Sequence, residues 1–296
     1  MSLIINHNIM AMNAARNLGT AYSNLTTSIN RLSSGLRINS AADDAAGLAI
    51  RELMRAEIAA MNQGVRNAND AISLIQTADG ALSVIDEKLI RMKELAEQAA
   101  TGTYNSDQRL MIESEYQAMA SEITRIANST DFNGVHLLNG NLSGITHNGT
   151  GLVSTGRLKV HFGPENDSSE DYYYIQIGNA TASALGVGMQ GTITNKAYTV
   201  STQSRAQAAL EGLKDAITSK DKIRANLGAM QNRLENTISN LQVQAENLQA
   251  AESRISDVDV SLEMTEFVRN QILTQAAVAM LSQANSLPQL ALSLMG

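Results

Sequence analysis

Cysteine and tryptophan are both absent from the 296 residues, and proline occurs only twice, as Pro164 and Pro288. Without cysteine there is no thiol nucleophile, no disulfide and no thiolate metal ligand. Aromatic residues amount to 3%, so a compact core anchored on aromatic rings is not expected. With no proline before Pro164, residues 1–163 are free to run as long unbroken helices. Charge is sparse too. Asp, Glu, Lys and Arg make up 17%, against roughly 25% in ordinary soluble domains, so Asn, Gln, Ser and Thr carry much of the polar surface. The balance of 22 basic against 29 acidic side chains leaves no basic footprint for nucleic acid.

No classical export signal is expected from the opening residues either. The opening Met1-Ser-Leu-Ile-Ile-Asn-His-Asn reaches Asn6 and Asn8 at once, and the first basic residue is Arg16. A secretory leader has the opposite order, basic and then apolar. The most apolar stretch, 270–296, carries no charged side chain but is broken by Gln275, Ser282, Gln283, Asn285, Ser286 and Gln289. A bilayer span needs about 20 predominantly apolar residues, so no membrane span is expected.

Candidate chemistry is equally thin. His7, His136, His147 and His161 lie far apart with no metal-ligand spacing. The Asp43-Asp44 pair is read as helix capping rather than acid–base catalysis. The acidic run Glu165–Asp171 lacks the glycine and terminal glutamate of a calcium loop and is read as a solvated loop. No catalytic residue, metal or cofactor is expected, and no enzyme.

What the chain has is heptads. The N-terminal stretch alternates apolar residues by threes and fours: Ile4, His7, Ala11, Ala14, Leu18, Tyr22, Leu25, Ile29, Leu32, Leu36. Such spacing keeps one seam on one helix face and favours packing against another helix. Gly35 and Ile38–Asp44 interrupt it, with Ser40, Asp43 or Asp44 placed to cap the next helix. A second pattern runs from Leu48 to Ala99 through Val65, Ala68, Ile72, Ile75, Ala78, Leu82, Ile85, Leu89, Met92 and Ala96, with one register shift after Ile75. A helix of that span reaches about 75 Å. A third, capped by Ser106 or Asp107, carries Ile112, Tyr116, Met119, Ile123 and Ile126.

Residues 129–202 turn to Gly, Asn, Ser and Thr, and Leu158–Phe162 and Tyr172–Ile177 read as short strands. Helical spacing resumes through Leu210, Leu213, Ile217, Leu227, Leu234, Ile238, Leu241, Ala245, Leu248 and Ile255. Lys220, Arg224 and Gln231 fall on seam positions there, so looser packing is expected. A last seam holds Leu273, Ala277, Met280, Ala284, Leu287, Ala291 and Leu294. The fold class is therefore mainly α: a long antiparallel coiled-coil or helical-bundle rod with a small inserted β segment.

The ends are the most informative part. Among residues 1–30 the only charged side chain is Arg16, and after Arg269 there is none. A solvated helix carries charge opposite its apolar stripe. These do not, so both ends are expected to order against other copies of the chain, through a contact that repeats into an open helical polymer. The self-assembly seam is read as Ile4, Ala11, Leu18, Leu25, Ile29 and Leu32 with Leu273, Met280, Leu287 and Leu294. The competing reading is a hairpin that closes one monomeric bundle.

The residues at both ends resemble the bacterial flagellins. The likeness is carried by Ile5–Asn8, Asn13–Leu18, Leu32–Asn39 and Asp43–Gly47, and later by Leu227–Leu234, Glu246–Ile255 and Met280–Asn285. It implies a terminal helical domain (1–42 with 256–296) forming an inner tube and a rod domain (43–140 with 203–255), completed by a short variable β-containing segment (141–202). It also implies the extracellular flagellar filament used for swimming and export through the flagellar type III apparatus. The implied partners are a flagellin-type chaperone, junction and cap proteins and an animal innate immune receptor. The family's receptor motif falls on Arg91, Glu94, Leu95 and Glu115. The arginine that the family has one turn later is Met119 here, which removes a charge-assisted hydrogen bond worth about 1.5–3 kcal/mol. Two other readings stand beside the filament subunit: a hook–filament junction protein, and a monomeric helical module acting as an immune ligand.

Overall fold

In a computed structural model the chain is described over residues 8–147, 156–168, 170–189 and 195–295, with side chains as far as Ser286. Ile4 and His7 lie outside the described residues, as do the side chains of Leu287 and Leu294. Among the described residues three helices, two small antiparallel sheets and three further helices follow one another along the chain. By contacts the chain divides into two units, 1–58 with 246–296 and 59–245. The boundaries expected from the sequence were 42/43 and 255/256, and the segment 141–202 falls within the second unit.

The first unit pairs α1 (Ile9–Ser34) with α6 (Val260–Met295), their backbones close together. Asn8 caps α1 by accepting from Ala11 N–H at 3.0 Å, and its Nδ2 donates to the Ala284 carbonyl at 2.7 Å. One asparagine thus fastens the start of α1 to the far part of α6, which fixes the pair as antiparallel. Beyond α1, Arg37 N–H donates to the Ser256 carbonyl (2.7 Å) and Val258 N–H to the Gly35 carbonyl (3.0 Å). The two inter-helix connections are thereby clipped to each other. Asp44 caps α2 (Ala45–Ala100), its Oδ1 accepting from Gly47 N–H at 2.9 Å. Asp43 instead holds the preceding loop: it accepts from the Ser40 N–H and hydroxyl and from the Asn39 N–H. Those bonds, Ser40's first, draw its carboxyl below its ordinary pKa.

The second unit holds the main core. On α2 an unbroken three–four alternation of buried positions runs through Met61, Gly64, Ala68, Ala71, Ile75, Ala78, Leu82, Ile85, Leu89, Met92, Ala96 and Ala99, with Leu74 and Leu95 buried beside it. The expected register shift after Ile75 does not occur, because Ala71 rather than the larger Ile72 takes the inward position. One apolar cluster joins this stripe to α3 (Ser106–Ser129), the β segment and α5 (Gln203–Ser256). The α3 cap lies one residue ahead of the expected Ser106: Asn105 and Gln108 form a reciprocal capping box. Where looser packing was expected on α5, ion pairs form instead. Lys220, 1% exposed, meets Asp86 of α2 at 2.6 Å, and Arg224 meets Asp79 at 2.7 Å.

Strands β1 (Asp131–Phe132) and β2 (Val135–His136) make a hairpin missing from the sequence reading. Its turn, Asn133-Gly134, has positive φ at both residues, the conformation that this dipeptide favours. Strands β3 (Leu158–His161) and β4 (Tyr172–Ile175) pair antiparallel, with Lys159 opposite Tyr174 and Val160 opposite Tyr173. A single turn of helix, α4 (Ala182–Leu185), follows.

A candidate self-assembly surface

The α1–α6 pair buries an unusual set of side chains. On α1 the covered positions are Ala11, Ala14, Leu18, Ala21, Leu25, Ser28 and Leu32; on α6 they are Glu263, Phe267, Asn270, Thr274, Ala277, Leu281 and Ala284. Both series keep regular three–four spacing. The fully buried members are small or polar: Ala21, Ser28, Glu263, Asn270, Thr274 and Ala284. Small residues let two helix axes approach closely, which a tyrosine ring or an isoleucine would prevent. Arg31 reaches Glu263 at 3.5 Å, and the Thr274 hydroxyl donates back to the Asn270 carbonyl at 2.7 Å.

Leu18, Leu25, Leu32, Phe267 and Leu281 share that contact half-buried, but other large apolar side chains face outward. Of the seam read from sequence, Ala11, Leu18, Leu25 and Leu32 are half-buried on the α1–α6 contact, whereas Ile29 is 48% exposed, Leu273 49% and Met280 68%. Tyr22 is turned outward as well, as are Leu262, Val268 and Ile272. The sequence pattern does not distinguish the two faces of α1, since Ala21/Tyr22 and Ser28/Ile29 each fit a three–four series. Size in the pair decides between them: the smaller residue goes inward. Met10, Leu273 and Met280 line a groove of about 590 Å³ between the helices together with Asn13, Asn17, Asn24 and Thr20. The groove carries no charge.

The residues of the receptor motif lie in the second unit. Arg91 donates to Glu115 through Nε (3.0 Å) and Nη2 (2.8 Å), and to Glu94 through Nη1 at 2.9 Å. The Glu94 bond, then the Glu115 bond, raise the guanidinium pKa above its ordinary value. Arg91, Glu94 and Glu115 are surface residues, but Leu95 is 1% exposed and belongs to the core. Its place in the heptad next to Ala96 accounts for that.

A polar clamp was not legible from the sequence. Tyr116 donates its hydroxyl to the Ala197 carbonyl at 2.7 Å, and burial, then the Glu113 charge, push its phenol above the usual range. Glu113, itself buried, accepts from Val200 N–H and from Gln117 Nε2, each at 2.5 Å. Gln117 also donates to the Tyr198 carbonyl at 2.9 Å. These α3 side chains satisfy the backbone of 197–200 and hold it against the helix. Their spacing (i, i+3, i+4) fits a single helix face, yet nothing in the local sequence names the partner loop. Among the described residues, no group of three or more acidic or histidine side chains is placed to hold a metal ion, and no helix is long and apolar enough to cross a membrane.

The protein is thus mainly α, and its terminal hairpin covers Ala21, Ser28, Asn270 and Thr274 while Tyr22, Ile29, Leu273 and Met280 stay exposed. The chain belongs to the bacterial flagellin family: residues 5–143 match the flagellin N-terminal helical region and residues 210–295 the C-terminal helical region. It is 43% identical over 293 residues to the flagellar filament 33 kDa core protein of Treponema phagedenis, covering 99% of this chain and 100% of that one. A flagellin of Halalkalibacterium halodurans is 42% identical with the same coverage. In fold alone the chain is similar to a protein of Vibrio parahaemolyticus described as flagellar hook-associated (TM-score 0.56, 15% identity, 73% of this chain and 100% of that one).

Proposed function

We propose that the chain is the repeating structural subunit of the bacterial flagellar filament, assembled outside the cell and used for swimming, and that it has no catalytic role. The observation that carries the mode of assembly is the exposed apolar set on the terminal hairpin. Burying a large apolar side chain is worth about 1.5–3 kcal/mol, and here Tyr22, Ile29, Leu273 and Met280 are exposed while Ala21, Ser28 and Asn270 are covered. Neighbouring copies that cover Tyr22, Ile29, Leu273 and Met280 gain that free energy at every subunit. The reading includes export through the flagellar channel, a chaperone that shelters the uncharged C-terminal helix beforehand, and contact with junction and cap proteins at the ends of the polymer. A junction protein of the hook is the weaker reading, since relatives matching over essentially the whole chain are filament core proteins and flagellins by name. A monomeric ligand module is disfavoured by the outward apolar face. If an animal receptor reads this chain, Arg91, Glu94 and Glu115 are the accessible residues for it, and Leu95 acts only through packing.

Seeded growth of purified subunits, followed by electron microscopy, tests the reading. Filaments elongating from the seeds are expected; subunits that stay monomeric at any concentration contradict it.

A further inference from the structure

With no cysteine, the 13 methionines are the only sulfur in the chain. In the second unit Met61 and Met92 are buried, and Met119 and Met230 pack half-buried on the core. On the terminal helices the arrangement reverses. Met10 and Met12 of α1 and Met264 and Met280 of α6 are all exposed, and Met10 and Met280 line the same uncharged groove. Met111 and Met189 are exposed as well, but lie in the second unit.

A thioether is apolar, and its sulfur is open to two-electron oxidation. With hydrogen peroxide the sulfur gains one oxygen, the O–O bond breaks, and the second oxygen leaves as water; an organic hydroperoxide would leave as its alcohol. The product, a sulfoxide, is a strong hydrogen-bond acceptor that carries no donor of its own. Covered by a neighbouring copy in the place of an apolar thioether, it would lose its water, a cost that only a well-placed donor could offset.

We propose that Met10, Met12, Met264 and Met280 form an oxidation-sensitive set on the assembly face. Sulfoxidation of the free subunit by hydroperoxide bars it from the polymer, and incorporation in turn shields these sulfurs. The proposal rests on the terminal helices being the self-assembly surface.

The test uses the full-length subunit, partly oxidised with hydrogen peroxide and then offered filament seeds. Pelleted filament and unpolymerised supernatant are compared methionine by methionine by peptide mass spectrometry. Sulfoxide at positions 10, 12, 264 and 280 is expected to be enriched about tenfold or more in the supernatant, while sulfoxide at Met111 and Met189 divides evenly. Even division at the terminal positions overturns the proposal, and so does equal exclusion at all the exposed methionines, which would signal general damage. Untreated subunits that fail to grow on seeds would overturn the self-assembly reading first and this proposal with it.

Discussion

Gly64 of α2 lies where the end of β3 passes the helix: a Cβ built there would stand 1.9 Å from the Phe162 carbonyl oxygen. Asn67, one turn on, donates to the His161 carbonyl at 2.8 Å and fixes the same approach. Gly64→Ala must push β3 away and is expected to destabilise the second unit by about 1–3 kcal/mol, read as a lower midpoint in thermal or denaturant unfolding; an unchanged midpoint would contradict the close approach. Asp79 gives the fold a pH dependence. Its bonds from Arg224 hold its carboxyl below the ordinary value, so its folded pKa lies below the unfolded one of about 3.9. Such a group stabilises fully above the unfolded pKa, and the contribution is lost as pH falls through the folded one. Asp43 shifts in the same direction. Asp79 is 42% exposed, so solvent screens the pair and the contribution is small. Thermal stability is therefore expected to hold from neutral pH down to about 4 and to fall below that, with a shallower fall in Asp79→Asn. A variant that keeps the full acid slope would remove Asp79 from the account. At Ile29 the prediction concerns assembly alone. Ile29→Ser is expected to leave subunit stability within about 0.5 kcal/mol while raising the concentration needed for polymerisation about tenfold; a destabilised monomer that polymerises normally would reverse the assignment of the face.

Elements were legible where one residue type dominated a face. The heptads of α2 and α3 stand out because Leu, Ile and Met repeat on the buried side, and the structure buries most of them, with Val65, Ile72, Met119 and Ile126 half-buried. Which face packs inside the subunit is not legible where a small and a large residue are adjacent. Tyr22, Ile29 and Ile72 fit the apolar alternation because hydrophobicity weights size, whereas the contacts within the subunit cover Ala21, Ser28 and Ala71. Local capping was legible to within a residue, since Ser, Asn and Asp cluster at such ends and only geometry chooses among them. The Asn133-Gly134 hairpin carried a usable signal that the Gly- and Asn-rich surroundings masked. Lys220 and Arg224 were read as defects in a seam because their acidic partners stand well over a hundred residues earlier, beyond any local pattern. At this scale the account predicts that removing 1–30 or 270–296 leaves the second unit folded, with its cooperative unfolding and helical signal retained, and abolishes polymerisation. Truncated chains that still grow filaments would contradict it.

For the whole molecule, the polymer was legible from the near-absence of charge at the two ends, which needs no structure, and the family from blocks of residues at both termini. The side of each terminal helix that meets a neighbour was not legible, because it depends on which residues the hairpin itself covers. The structure adds that distinction: Ala21, Ser28, Asn270 and Thr274 are covered within the subunit's own hairpin, Tyr22, Ile29, Leu273 and Met280 are exposed, and the proposed assembly assigns the exposed set to other copies. A helical reconstruction of the filament at side-chain resolution tests this most directly. The account predicts an intact α1–α6 pair in each subunit, with Tyr22, Ile29, Leu273 and Met280 covered by neighbouring subunits. A filament in which those side chains face water, or in which α1 and α6 part so that the Ala21–Ser28 face meets a neighbour, would contradict it.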